Sequence, residues 1–156
     1  MDGKVLFVAT AEAGDEEMRR RIENHKKSRP ASWRTLEITT DIGSHISREM
    51  GTAKVVIVDC VTLLVNNIFN RDAGKADADF IRKGVTAEID GLIECIRGNG
   101  SAFIIVTNEL GMGLVPTEAT SRLYRDLLGT ANQRLADAAD EVYLMVCGLP
   151  VRIKPA

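Results

Sequence analysis

His25 is the residue in this 156-residue sequence whose surroundings most suggest chemistry. It sits in a stretch carrying Arg19, Arg20, Arg21, Lys26, Lys27, Arg29 and Arg34, while the acids Asp15, Glu16, Glu17 and Glu23 lie mostly at the other end of that stretch. A run of this kind is usually a solvated helix face. The sharper reading is an anion site around His25-Lys26-Lys27-Ser28-Arg29-Pro30. Met18, Ile22 and His25 recur at helical spacing, which puts His25 on the apolar face of its helix. A histidine in that place is more often a satisfied core residue than a catalyst. Beside cations, however, a neutral imidazole with a free lone pair suits attack on phosphorus. On the residues alone both readings stand. His45 has no such company and reads as structural or surface.

Asp59 is the second candidate. It ends the aliphatic run Val55-Val56-Ile57-Val58, the arrangement of an acid that holds Mg²⁺ or a nucleotide in phosphate-transferring enzymes. The companion of such an acid is a loop of the form G-x-x-x-x-G-K-S/T, whose backbone amides wrap phosphates. The sequence has none; Gly3-Lys4 and Gly74-Lys75 lack the second glycine and the hydroxyl residue.

These residues need a scaffold, and the apolar pattern supplies one. Val5 to Val8, Lys54 to Asp59, Ala102 to Thr107 and Val142 to Val146 are apolar at nearly every position, which predicts strands of a mainly parallel sheet covered on both faces. Thr35 to Thr39 and Val151 to Lys154 predict weaker, edge strands. Helices are predicted from Asp15 to about Lys27, from Thr62 to Phe69, along the stripe Ile81, Val85, Ile89, Leu92 and Ile96, and along Leu123, Leu127, Ala131, Leu135 and Ala138. Arg71 to Asp79 reads as a flexible insertion. The alternation gives an α/β fold, a mainly parallel sheet flanked by helices, in one domain over residues 1–156. In such sheets ligands bind beyond the carboxyl ends of the strands. Here those ends are Ala9-Thr10-Ala11, Asp59-Cys60-Val61-Thr62, Asn108-Glu109-Leu110-Gly111 and Cys147-Gly148.

Composition narrows the partners. A formal net charge of -2 gives no global field for nucleic acid or anionic lipid. The longest uncharged stretches have 11 residues, against about 20 for a membrane span. Met1-Asp2-Gly3-Lys4 has neither the apolar core nor the cleavage site of a signal peptide, so a cytoplasmic location is expected. Cys60, Cys95 and Cys147 form no CxxC pair and are expected to be buried thiols.

Several segments together resemble one family. They are Val5 to Glu12, Asp15-Glu16-Glu17-Met18, Arg21-Ile22 with His25-Lys26, Arg29-Pro30, Trp33, Glu37, Asp59-Cys60 with Thr62, Asn67, Val106 through Pro116, Arg125-Asp126 and Asn132 through Ala136. In this order they resemble the bifunctional adenosylcobinamide kinase / adenosylcobinamide-phosphate guanylyltransferases of cobalamin biosynthesis. The resemblance implies a P-loop NTPase fold of the RecA-like type and two reactions. One phosphorylates the hydroxyl of the aminopropanol arm of adenosylcobinamide. The other forms a guanylyl-histidine from GTP and passes GMP to the cobinamide phosphate. It places the nucleophile on His25 and nucleotide contacts on Ala9, Thr10, Ala11, Lys26, Lys27, Ser28, Arg29, Glu37 and Asp59. GTP or ATP as substrate, Mg²⁺ and a homotrimer with sites near subunit boundaries are implied with it. Family members open with a strand, a phosphate loop and a helix that this sequence does not contain. The expectation is therefore a chain whose first strand–P-loop–helix unit is missing through a mis-assigned start. The alternative is a non-catalytic homologue that binds nucleotide or serves assembly.

Overall fold

The computed structural model of the chain describes residues 4–72, 74 and 76–155. β1 (Val5–Ala9), β3 (Val55–Asp59) and β4 (Ala102–Val106) form on the three aliphatic runs, and β2 (Arg34–Glu37) on the weaker one. All pair in parallel in the order β2-β1-β3-β4, with Ala9 opposite Asp59 and Asp59 opposite Val106. Helices α1 (Glu16–Ser28), α2 (Ile42–Glu49), α3 (Val61–Asp72), α4 (Ala78–Gly98) and α5 (Ala119–Ala138) fill the connections. Right-handed crossovers send a connection that moves one way across a sheet over one face and its opposite over the other. The β1-α1-β2 unit runs one way, and the β2-α2-β3 and β3-α3-α4-β4 units run the other. Accordingly, Leu6, Val8, Val56 and Val58 join one core with Ile42, Ile46, Leu64, Ile89, Leu92 and Leu128 of α2 to α5. Phe7, pointing to the opposite face, meets α1 instead. No helix among the described residues is long and apolar enough to cross a membrane.

Local chemistry explains the helix boundaries. The Asp15 carboxylate accepts from Met18 N at 2.7 Å and Asp77 from Phe80 N at 2.8 Å, capping α1 and α4. α2 has no counterpart in the sequence reading, because its cap comes from far along the chain. Asp41 takes φ 54° and makes no side-chain cap; instead Glu88 of α4 accepts from Asp41 N and Ile42 N, each at 2.8 Å. A carboxylate at the first turn satisfies the free amides and complements the helix dipole. Gly43 makes the same contact possible. A Cβ there would lie 2.3 Å from Gly91 O, so the two helix backbones nearly touch.

The end of β1 is tied to the end of β3 by one side chain. Thr10 is fully buried; its Oγ1 donates to Cys60 O at 2.7 Å and accepts from Cys60 N at 2.8 Å, and Thr10 N donates to Asp59 O. Asn67 of α3 donates from Nδ2 to Thr10 O and Thr39 O, at 2.8 and 3.1 Å, so the end of β1 and the loop after β2 are pinned together. The Asp59–Cys60 peptide is cis.

Four expectations need correction. Val142–Val146 forms β5, but it pairs antiparallel with β6 (Leu149–Lys154) in a separate two-stranded sheet. Cys147 and Gly148 both take positive φ, 52° and 78°, which makes a tight reversal of the type that closes two-residue hairpins. The pair is fixed to the helical layer by Lys154, whose Nζ donates to the carbonyls of Ala136, Asp137 and Ala139 at the end of α5. The apolar runs of β4 and β5 are not covered on both faces: Ile104 is 52% and Met145 60% exposed. A continuous apolar run records what a strand can tolerate, not what lies over it. Of the three thiols only Cys95 is buried; Cys60 is half-buried and Cys147, at the hairpin turn, is exposed. The expected insertion from Arg71 to Asp79 shrinks to the few positions between α3 and α4. It includes residues 73 and 75, which lie outside the described residues, as do Met1 to Gly3 at the start.

Two stability experiments follow from this packing. Gly43→Ala forces α2 and α4 apart and lowers the unfolding free energy by about 1–3 kcal/mol, the usual cost of overpacking. Gly91→Ala, with nothing within 4 Å of the new Cβ, is neutral or stabilising by up to about 1 kcal/mol. Urea unfolding of the two variants separates these outcomes, and equal effects would contradict the described helix crossing. Thr10→Val keeps the shape but strands the Cys60 amide, and costs about 1–3 kcal/mol in the same assay.

Candidate active site

The strand order reverses direction between β1 and β3, since the connection after β1 leads to β2 on one side and the connection after β3 leads to β4 on the other. The crevice at the carboxyl ends of two such strands is where an open α/β sheet receives a ligand. Ala9, Thr10 and Ala11 form one lip and Asp59 the other, with Ala9 and Asp59 in register. α1 lies above it.

α1 has no buried residue, and the face carrying Met18, Ile22 and His25 turns to the sheet and its crevice rather than into the core. Met18 and Ile22 of that face are half-buried, but the His25 side chain is 53% exposed. The imidazole is held by the edge of Phe7, with ring centroids 5.9 Å apart at 80°. Its Nδ1 lies 3.7 Å from Asp59 Oδ2 and 3.5 Å from Arg29 Nη2. Phe7 is the hub of this face: Trp33 stacks near it at 6.2 Å and the Arg29 guanidinium carbon lies 3.8 Å from its ring centroid.

Arg29 is the most telling group. It follows the last turn of α1, half-buried against Phe7, and its Nε and Nη1 are buried with no hydrogen-bond partner among the described residues. Burial lowers its pKa from the ordinary value, while the charges of Asp59 and Glu37 act to raise it. An arginine stays protonated under such shifts. A cation with two unfilled donors at a strand-end crevice is equipped to accept an anionic oxygen.

Of the residues the sequence singled out, His25, Lys26, Arg29, Glu37 and Asp59 come together here. Lys26 Nζ pairs with Glu37 Oε1, linking α1 to the end of β2. Ser28 donates from Oγ to His25 O at 2.9 Å and so braces the last turn, and Lys27 is exposed in the same turn. Thr10 is placed at the crevice, but its hydroxyl is consumed by Cys60; what it offers a ligand is position, not a free donor. The reading of the residues missed Phe7 as an organiser. Its one visible signal was an aromatic ring at the strand position facing away from Leu6 and Val8.

The family model for cobinamide kinase / cobinamide phosphate guanyltransferase matches residues 1–153. The bifunctional adenosylcobalamin biosynthesis protein CobU of Escherichia coli (strain K12) is 38% identical over 156 residues, covering 97% of this chain and 86% of that protein. The protein of the same name from Salmonella typhimurium (strain LT2) is 37% identical with the same coverage. CobP of Pseudomonas aeruginosa (strain PAO1), another bifunctional adenosylcobalamin biosynthesis protein, is 36% identical over 150 residues, covering 96% of this chain and 82% of its own length. A match this long, over a parallel α/β sheet with the histidine, the arginine and the aspartate gathered at its switch point, leaves one assignment: the chain belongs to the cobinamide kinase / cobinamide phosphate guanyltransferase family.

Proposed function

We propose that this chain transfers GMP from GTP to adenosylcobinamide phosphate by way of His25, and phosphorylates the adenosylcobinamide that precedes it. The observation that carries the guanylyl half is the pairing of an exposed, oriented imidazole with a guanidinium whose Nε and Nη1 have no partner among the described residues. The names and extent of the relatives support both halves.

The chemistry follows from the ring's surroundings. Nδ1 faces Asp59 and Arg29, which leaves Nε2 as the atom available for attack. The Arg29 contact suits a lone pair on Nδ1, and the Asp59 contact suits a proton there. For attack through Nε2 the ring takes the tautomer that the Asp59 contact favours, with Nδ1 protonated and Nε2 bare. Nε2 then attacks the α-phosphorus of GTP. A phosphorus–nitrogen bond forms, the bond to the bridging oxygen breaks, and pyrophosphate leaves with the electron pair. An oxygen of cobinamide phosphate next attacks the same phosphorus, the phosphorus–nitrogen bond breaks, and the imidazole returns with its lone pair.

Lys26, Lys27 and Arg29 offset the charge that gathers on the phosphate oxygens, and Ser28 keeps the last turn of α1 in place. Ala9, Thr10 and Ala11 present backbone groups at the lip, and Glu37 accepts hydrogen bonds from the guanine or its ribose. Mg²⁺ takes few protein ligands when bound to a nucleotide. Asp59, half-buried with one carboxylate oxygen turned to His25, fits as the residue that would hold it. The cation would neutralise triphosphate charge. The homotrimer and cytoplasmic location implied by the family belong to this same proposal.

Incubation with GTP labelled at the α-phosphorus, quenched in mild alkali because phosphoramidates are acid-labile, tests the assignment. The parent chain takes up label and His25→Ala falls to background; a mutant labelled as well as the parent would overturn the assignment. Arg29→Met needs at least about tenfold more GTP for half-maximal labelling, the scale of one lost charge-assisted interaction.

A further inference from the structure

The segment leaving β4 is fixed through its backbone and open through its side chains. Asn108 N donates to Thr62 Oγ1 at 2.9 Å, and Asn132 Nδ2 donates to Asn108 O at 3.0 Å. Further on, Arg125 Nη1 donates to Leu114 O at 3.1 Å and Arg122 Nη1 to Pro116 O at 3.0 Å. Yet Leu110, Met112, Leu114 and Val115 are all exposed, Leu114 to 96%. A loop held in one shape by its carbonyls, with its apolar side chains in water, is preorganised for binding.

Beside this loop a cavity of about 410 Å³ opens between α3 and α5. That falls within the usual span of small-molecule sites, about 300–1,000 Å³. Phe69, Leu110, Leu114 and Pro116 give it apolar walls, and Asn66 and Asn70 add two carboxamides. Arg125 is the only charged residue lining it among those described, and its Nη1 is already donating to the loop. Tyr124 likewise spends its hydroxyl on Thr62 O at 3.0 Å. Such a lining suits an uncharged, amide-bearing apolar body and offers little to a polyphosphate. It is the chemical opposite of the His25 crevice, where cations and carboxylates dominate. The two are joined through one short segment, since Thr62, which anchors Asn108, stands three positions after Asp59.

We infer that this cavity is the corrinoid subsite. It takes an edge of the macrocycle, with methyl groups against Leu110, Leu114 and Phe69 and peripheral amides against Asn66 and Asn70, while the phosphate-bearing arm extends toward His25. The inference rests on the proposed transfer to cobinamide phosphate, but it can be tested separately.

The probe is dicyanocobinamide, followed by its visible absorbance in equilibrium dialysis against the full chain and against Leu114→Asp and Asn70→Leu. Both positions are exposed, so neither change threatens the core. Each variant binds the corrinoid about tenfold or more weakly, the effect of removing a main contact. GTP labelling of His25 stays at the parent level. Corrinoid affinity equal to the parent in both variants would overturn the inference. So would a loss of affinity accompanied by a change of oligomeric state in sedimentation, which would assign the loop to contact between copies. If His25 took no label while the variants still lost corrinoid binding, the subsite would stand and the guanylyl proposal would fall.

Discussion

Everything at the carboxyl end of the sheet depends on the bond between Thr10 and Cys60. A buried hydroxyl that both donates to and accepts from one residue fixes where β1 stops relative to β3. Asp59 precedes that residue, so its carboxylate is aimed by the same contact. Asn67 extends the brace to the loop after β2, bringing in the element that carries Glu37. A buried amide left unpaired costs more than a hydrogen bond gains, so this junction has little freedom to drift. The crevice between the two strand ends is therefore rigid on the sheet side.

The helix above it is held differently. α1 buries none of its residues, and its contacts with the sheet include those of the site: His25 and Arg29 against Phe7, and Lys26 against Glu37. The residues proposed to hold the nucleotide thus also help dock the helix. Beyond Thr62 the same end of the sheet changes character, from ions to apolar carbon and amides, as the loop after β4 rises over α3 and α5. A reaction joining a nucleotide to a large, amide-rich macrocycle needs both environments within reach of one phosphorus atom.

Much of this was legible in the residues and some was not. The aliphatic runs located β1, β3 and β4 because β-branched and other apolar side chains at consecutive positions favour a strand, whichever of its faces is covered. The stripe from Ile81 to Ile96 located α4 because its side chains reach the core at helical spacing. α2 escaped because its cap, Glu88, lies 46 or more positions away and its close packing depends on Gly43 meeting Gly91. β5 was found as a strand but assigned to the wrong sheet, since apolar content does not record a partner, and the reversal at Cys147-Gly148 decides it. For the site, the type and spacing of residues could not separate a core histidine from a nucleophile. The family resemblance named His25, and the half-exposed ring at the switch point fits that role. The unfilled donors of Arg29 were invisible in sequence, because they are a property of packing against Phe7.

The most direct test of the account is the identity of the nitrogen that carries phosphorus. Chain labelled with ¹⁵N-histidine and treated with GTP would be examined by NMR for phosphorus–nitrogen coupling and for the proton on the other ring nitrogen. A phosphoramidate on Nε2 of His25 is the expected result, with Nδ1 protonated toward Asp59. Phosphorus on Nδ1, or on any residue other than His25, would contradict it.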